Sequence, residues 1–418
     1  MDWGFIQPGD NESNRVRLDL QLVRAVRAFN EMVFPGIGSV FFVRQISWSV
    51  IGLSLAEMNG KTPSRVAEAV EALACWIALF RCGTDYVDSQ RIRGKRKLGI
   101  ERGFDYSVWS LRKNYVSQPI RMGTTAALVG LDLALGTRTR FNSLKLTAEG
   151  RSLAGLLLRI QEHSAGDWLL NKWMSSSHSP TSKIPDPVKR ILLPGGDTAN
   201  NQDGATELER RLIRRQLKLD PVRFQMLNAM LEMDASPGAS KQTNDRLIDL
   251  IDCVNPPQGK KLRAAFDFED MRSKALLLVK SIATQISGGA ATLKRLALSE
   301  RIVFRLEHLQ DACKILEASM KHADVSQKEA SDFICEQLND SAEERIRSLV
   351  RRLPQVLTIN NEDLVIRGTL FKENLVLTDE EELLSIADSP DDDISAAPAR
   401  LIRAYMLMQD CQWKEEKV

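Results

Sequence analysis

Apolar positions at the start of the chain recur at helical spacing. Val16, Leu20, Val23, Val26 and Phe29 share one side of a predicted helix from Arg15 to Met32, with Arg15, Arg17, Arg24 and Arg27 on its other faces. Phe34-Pro35-Gly36-Ile37-Gly38 ends that helix, because proline and two glycines do not extend it. Val40 to Ala56 is apolar but interrupted by Arg44 and Gln45, which predicts a buried core helix rather than a membrane span of ~18 or more apolar residues. Thr62-Pro63-Ser64 opens the next helix, reaching Phe80, with Thr62 as N-cap and Pro63 in the first turn, where its missing N–H loses no bond.

After Asp88 the pattern changes. Arg91 to Gly103 is basic and punctuated by glycine, as in an exposed loop. Gly123-Thr124-Thr125 is read as the cap of a helix running to Leu131, and Gly136-Thr137-Arg138-Thr139-Arg140 as the tip between two short strands. Leu144-Lys145-Leu146 is the returning strand; Thr147 then caps a helix reaching Ile160, with Glu149 in its first turn. Residues 175–205 carry little apolar surface and predict a linker. Beyond it the candidate helices are Glu207–Leu219, Pro221–Met233, Asn244–Cys253, Lys260–Ile286 and Leu293–Lys321, the last taken as the longest. Its seam of Ile302, Leu306, Leu309, Cys313, Leu316 and Met320 suits packing inside an antiparallel bundle better than a dimer contact. Residues 355–377 predict a small hairpin, Asp388 to Ser395 an acidic turn, and Ala399–Gln409 a last helix. The expected fold is mainly α, with a domain at 1–174 containing a small β hairpin, a linker at 175–205 and a helical bundle domain at 206–418.

Charge changes the picture more than composition does. The 57 Lys and Arg nearly balance the 55 Asp and Glu, yet residues 1–170 hold 22 basic against 16 acidic side chains. A basic front half suits a domain that meets a polyanion. Arg91, Arg93, Lys95, Arg96, Lys97, Arg102, Arg112, Lys113 and Arg121 stand against only Glu101 and Asp105, and Arg138, Arg140 and Lys145 extend the set onto the hairpin. Cations that neutralise phosphates release counterions, giving salt-dependent, sequence-independent affinity. The competing reading of the cluster alone is a solvated loop. Tyr106 and Tyr115 either stack on bases or anchor the core; Trp109 is read as core.

No catalytic constellation is legible, so the reading leans away from an enzyme and names no catalytic residue, metal ligand or cofactor. Gly94-Lys95 is followed by Arg96 rather than by Ser or Thr, and so is no phosphate loop. His163, His178, His308 and His322 lack the spacing of a helical metal site. Asp267-Phe268-Glu269-Asp270 with Lys274 has the residue types of a metal-dependent nuclease, but is expected at a helix start, where acids complement the macrodipole. Cys75, Cys82, Cys253, Cys313, Cys335 and Cys411 form no C-x-x-C pair and are read as buried free thiols of a reducing compartment. With no signal-peptide pattern and no apolar run of membrane length, a cytoplasmic protein without membrane contact is expected.

Leu146-Thr147-Ala148-Glu149-Gly150-Arg151 follows a strand and opens a helix, as Leu-Thr-x-x-Gly-Arg does in winged-helix domains, and the front domain resembles that class. The resemblance implies a winged-helix-like N-terminal domain whose wing tip, Arg138 and Arg140, approaches phosphate or the minor groove. Phe34-Pro35-Gly36, the run from Val40 to Trp48 and the wing together resemble uncharacterised bacterial proteins of anti-phage defence islands. That implies an accessory or sensing subunit that binds nucleic acid, DNA being the expected form, beside a partner protein such as an ATPase or nuclease. The alternative class is a structural adaptor that docks a partner through its helical domain without touching nucleic acid.

Overall fold

The computed structural model describes residues 19–81, 89–95, 97–99, 104–111, 114–116, 118–159, 164–175, 184–195, 204–235, 246–286, 291–354, 356–360, 363–366 and 397–413. Helices α1 (Val23–Val33), α2 (Val43–Asn59) and α3 (Pro63–Arg81) are followed by the single turn α4 (Tyr106–Trp109) and by α5 (Ile120–Gly130). Strands β1 (Ala134–Leu135) and β2 (Lys145–Leu146) lead to α6 (Ala148–Leu158) and to α7 (Ala165–Asp167), which continues as a π-helical stretch, Trp168–Trp173. Next come α8 (Asp186–Leu192), α9 (Glu207–Leu217), α10 (Pro221–Ala235), α11 (Leu250–Cys253) and α12 (Pro256–Ile286). The chain closes through β3 (Ala291–Thr292), α13 (Leu293–Ala297), α14 (Glu300–His322), α15 (Lys328–Gln337), α16 (Ala342–Arg352), β4 (Leu357–Asn360), β5 (Asp363–Ile366) and α17 (Ala399–Asp410). The protein is mainly α, and no described helix is long and apolar enough to cross a membrane.

Contacts divide the chain into two units, each built from two separate stretches of it: residues 1–33 with 240–399, and residues 34–239 with 400–418. This division by contacts does not follow the boundaries expected from composition, at 174 and 206. The described part of 175–205 is packed rather than a bare linker, since α8 buries Val188 and Leu192. Arg44 there donates to the carbonyls of Ile191, Arg190 and Gly204 at 2.6, 2.9 and 2.8 Å. Backbone groups make these bonds, so the polar side-chain composition gave no sign of them.

In the unit of 34–239 and 400–418, α2 is the axis. Every residue from Val43 to Ala56 is buried, the polar Arg44, Gln45, Ser47, Ser49 and Ser54 included, and the helix packs against α3, α5 and α6. Its first turn is satisfied by Gln45 Oε1, which accepts from Phe41 N at 2.7 Å, and by Asp410 Oδ2, which accepts from Val43 N at 2.8 Å. Arg44 and Glu209, 1% and 0% exposed, pair at 3.0 Å, and the Ser47 hydroxyl donates to the same carboxylate at 2.8 Å. Burial lowers the Arg44 pKa, while Glu209 and Asp410 oppose that shift.

In the unit of 1–33 and 240–399, α12 packs along α14 and across α1, with Phe29 stacked on Phe268 at 4.4 Å. The seam from Ile302 to Met320 is buried, so it packs within this bundle. Strands β3, β5 and β4 form an antiparallel sheet in that order, with Asn360 opposite Asp363. Residues 367–377 of the expected hairpin, and the acidic turn at 388–395, lie outside the described residues.

Three expectations are corrected here. Of the expected first helix, residues 15–18 lie outside the described residues, Leu20 and Gln21 are left-handed rather than helical, and α1 begins at Val23, where the Glu329 carboxylate accepts from Arg24 N and Ala25 N. Leu293–Lys321 is broken at Leu298–Ser299, and the longest helix is instead α12, which starts at Pro256, a residue tolerated in a first turn. Cys75, Cys313 and Cys411 are buried, but Cys253 and Cys335 are exposed because they fall on outward helix positions; Cys82 lies outside the described residues. Burial pushes the Cys75 and Cys313 thiols up to about 12.

Candidate nucleic-acid interface

The hairpin grows directly from α5. Asp132 takes a left-handed turn at φ +52°, and Leu133 N donates back to Leu128 O at 2.8 Å, turning the chain into β1. Strand β1 pairs antiparallel with β2, Ala134 opposite Leu146 and Leu135 opposite Lys145. The Leu-Thr-x-x-Gly-Arg segment that follows is a clamp, each member with a structural task. Leu146 is buried; Thr147 Oγ1 donates to Asp132 O at 2.7 Å and accepts from Gly150 N at 3.1 Å as the N-cap of α6. A Cβ at Gly150 would lie 2.0 Å from Leu133 O, so only glycine lets α6 approach β1 this closely. Arg151 Nη1 donates to Leu146 O at 2.7 Å.

The tip is braced from within. The Ser143 hydroxyl donates to Arg140 O at 2.7 Å and bonds the Thr137 hydroxyl at 3.0 Å. Phe141 is buried beneath it, and Asn142 Oδ1 accepts from Ser64 N at 2.8 Å, tying the tip to the first turn of α3. From this frame Arg138, Arg140 and Lys145 are exposed. Arg65, on the same first turn of α3, is exposed too and escaped the sequence reading, although Lys61-Thr62-Pro63-Ser64-Arg65 shows cations flanking a helix cap.

The cluster at 91–121 resolves differently. Arg91 Nη1 donates to Pro194 O at 3.0 Å and pairs with Asp410 at 2.8 Å, its guanidinium lying over the Phe42 ring. Arg93 Nη1 donates to Gln118 O at 2.9 Å, and Arg121 Nε to Glu68 at 2.7 Å. These three side chains are engaged within the fold. Lys95 is exposed and Lys97 half-buried, while Arg96, Arg102, Arg112 and Lys113 lie outside the described residues.

The aromatic side chains nearby are held as well. Trp109 is fully buried, and Tyr115 donates to Glu71 Oε1 at 2.9 Å, with burial raising its pKa well above the usual value. Tyr106 meets Trp173 edge to face at 5.3 Å, with Lys61 over its ring. Helix α5 is fastened on several sides rather than capped at Gly123-Thr124-Thr125. Its first N–H, on Ile120, is accepted by Glu71 Oε2 at 2.8 Å, and the Thr125 hydroxyl donates within the helix to Arg121 O. Residues 35–39 run against it: Ser39 N donates to Gly123 O, and a Cβ at Gly130 would lie 2.1 Å from Gly36 O. Arg223 joins the two by donating to Gly130 O at 2.8 Å and to Pro35 O at 3.3 Å.

The nuclease-like acids of the other unit are each taken up in mid-helix rather than at a helix start. Asp267 accepts from the Ser319 hydroxyl, Glu269 pairs with Arg272 at 2.9 Å and Asp270 with Lys274 at 2.6 Å. Burial raises the Asp267 pKa. Among the described residues no three His, Cys, Asp or Glu side chains gather as a metal site. Comparison of the chain with protein-family models, curated proteins and solved structures gave no match.

Proposed function

We propose that the β1–β2 hairpin acts as the wing of a winged-helix-like module that binds nucleic acid through its sugar–phosphate backbone, DNA being the expected form. The observation that carries this reading is the braced hairpin, on which Arg138, Arg140 and Lys145 are exposed, with Arg65 exposed on the turn of α3 that Asn142 ties to the tip. Cations fixed by a rigid hairpin lose little freedom on meeting phosphates, and their contacts position a duplex without reading its sequence. Helix α5, covered by residues 35–39, offers little polar surface for a groove, which favours backbone contact over base recognition. An accessory subunit of a larger complex suits such sequence-independent affinity. The adaptor alternative draws on a separate observation, the exposed apolar side chains of α14 in the other unit.

Titration of the full chain with duplex and single-stranded DNA tests the reading. Changing Arg138, Arg140 and Lys145 to Glu is expected to weaken binding to every sequence by a similar factor, while changing the exposed Lys294 of the other unit to Glu leaves it intact. Absence of binding at low salt, or equal affinity in the hairpin variant, contradicts it.

A further inference from the structure

Helix α14 carries two stripes on opposite faces. The inward one, from Ile302 to Met320, is buried in the bundle. The outward one is Phe304, His308, Asp311, Ile315 and Ala318, all exposed, Phe304 at 60% and Ile315 at 52%. Its members recur at alternating steps of four and three, the spacing of a helix-pairing seam. On one flank of it acids and bases stand in opposed halves: Glu300 and Glu307 toward the N-terminal end, Lys314 and Lys321 toward the C-terminal end.

We propose that this face pairs with the same face of a second copy of the chain, the two α14 helices running antiparallel about a two-fold axis near Leu309–Gln310. In that register Phe304 packs on Ile315 of the second copy, and Arg301 lies over the small Ala318. His308 meets Asp311; its Nδ1 is already bonded to Phe304 O at 2.8 Å, leaving Nε2 for the carboxylate. On one flank Glu307 meets Lys314 and Glu300 meets Lys321; on the other Arg305 passes Ala312, so like charges do not oppose each other. Within each helix Lys314 already pairs with Asp311 at 3.1 Å, and the one register brings Glu307 and His308 of the second copy onto that pair, the self-complementarity that a two-fold interface requires. Parallel pairing would set Asp311 against itself, and loses the match of Glu307 to Lys314. A single-helix contact belongs to the small interfaces that dissociate on dilution.

Sedimentation of the nuclease-treated full chain over a range of concentrations tests this, with reductant present because Cys253 and Cys335 are exposed. A monomer–dimer equilibrium is expected for the natural sequence. Lys314→Glu, which sets two glutamates together, should weaken dimerisation about tenfold or more, and so should Phe304→Asp. The exchange Glu307→Lys with Lys314→Glu should restore it while circular dichroism stays constant across the set. A monomer at every concentration, a dimer indifferent to Lys314→Glu, or an exchange that fails to rescue it overturns the proposal.

Discussion

Thr147 and Gly150 show how single side chains hold the hairpin to the helix behind it. Thr147 caps α6 and also binds Asp132 O, so Thr147→Ala should lower stability by about 1–2 kcal/mol. Gly150→Ala forces a Cβ toward Leu133 O and should cost about 1–3 kcal/mol as β1 is pushed off α6. Urea unfolding of both variants checks the sizes; a neutral Gly150→Ala would mean that strand and helix are not clamped. This clamp was legible in the sequence because its parts are local: Thr147 as N-cap and the strand before it follow from adjacent residues. Arg91, Arg93 and Arg121 were not legible in the same way. Their charge is a property of the residue type, but their partners Asp410, Gln118 and Glu68 are set by the fold. A run of cations therefore reads as a surface until its counter-groups are known.

At the scale of elements, the anchoring of α5 depends on one carboxylate of α3. Glu71 accepts from both Ile120 N and the Tyr115 hydroxyl, and burial has removed water as a substitute acceptor. Glu71→Ala should destabilise the fold by about 2–4 kcal/mol, with Glu71→Gln costing less because an amide oxygen still accepts one of the two bonds. Equal losses in the two variants, measured by denaturant unfolding, would contradict that role. Helices with strong apolar patterns, α2 and the seam of α14, could be foreseen, since burial on every side or on one stripe is written in their spacing. Helix ends were less legible. The Ile120 N–H is met by a residue 49 positions away, and that of Arg24 by one 305 positions away.

For the whole molecule, the decisive feature is that each unit is assembled from two stretches far apart in the chain. Composition along the sequence suggested successive domains; it carried no sign that α17 completes the unit of α2. There Asp410 holds Val43 N and Arg91, Asp234 accepts from the Tyr405 hydroxyl at 2.7 Å, and Asn228 from Trp413 Nε1 at 3.1 Å. Deleting residues 400–418 is expected to open that unit to limited proteolysis within 34–239; undiminished resistance would contradict the assignment. The hairpin that carries the nucleic-acid reading belongs to the same unit, so its function is best tested in the full chain. The most direct measurement is the salt dependence of duplex binding by the natural protein and by a variant with Arg138, Arg140 and Lys145 changed to Gln. Three lost phosphate contacts should make the slope of log affinity against log salt shallower by about 2.7, at roughly 0.9 per contact. Identical slopes for the two proteins would contradict the account.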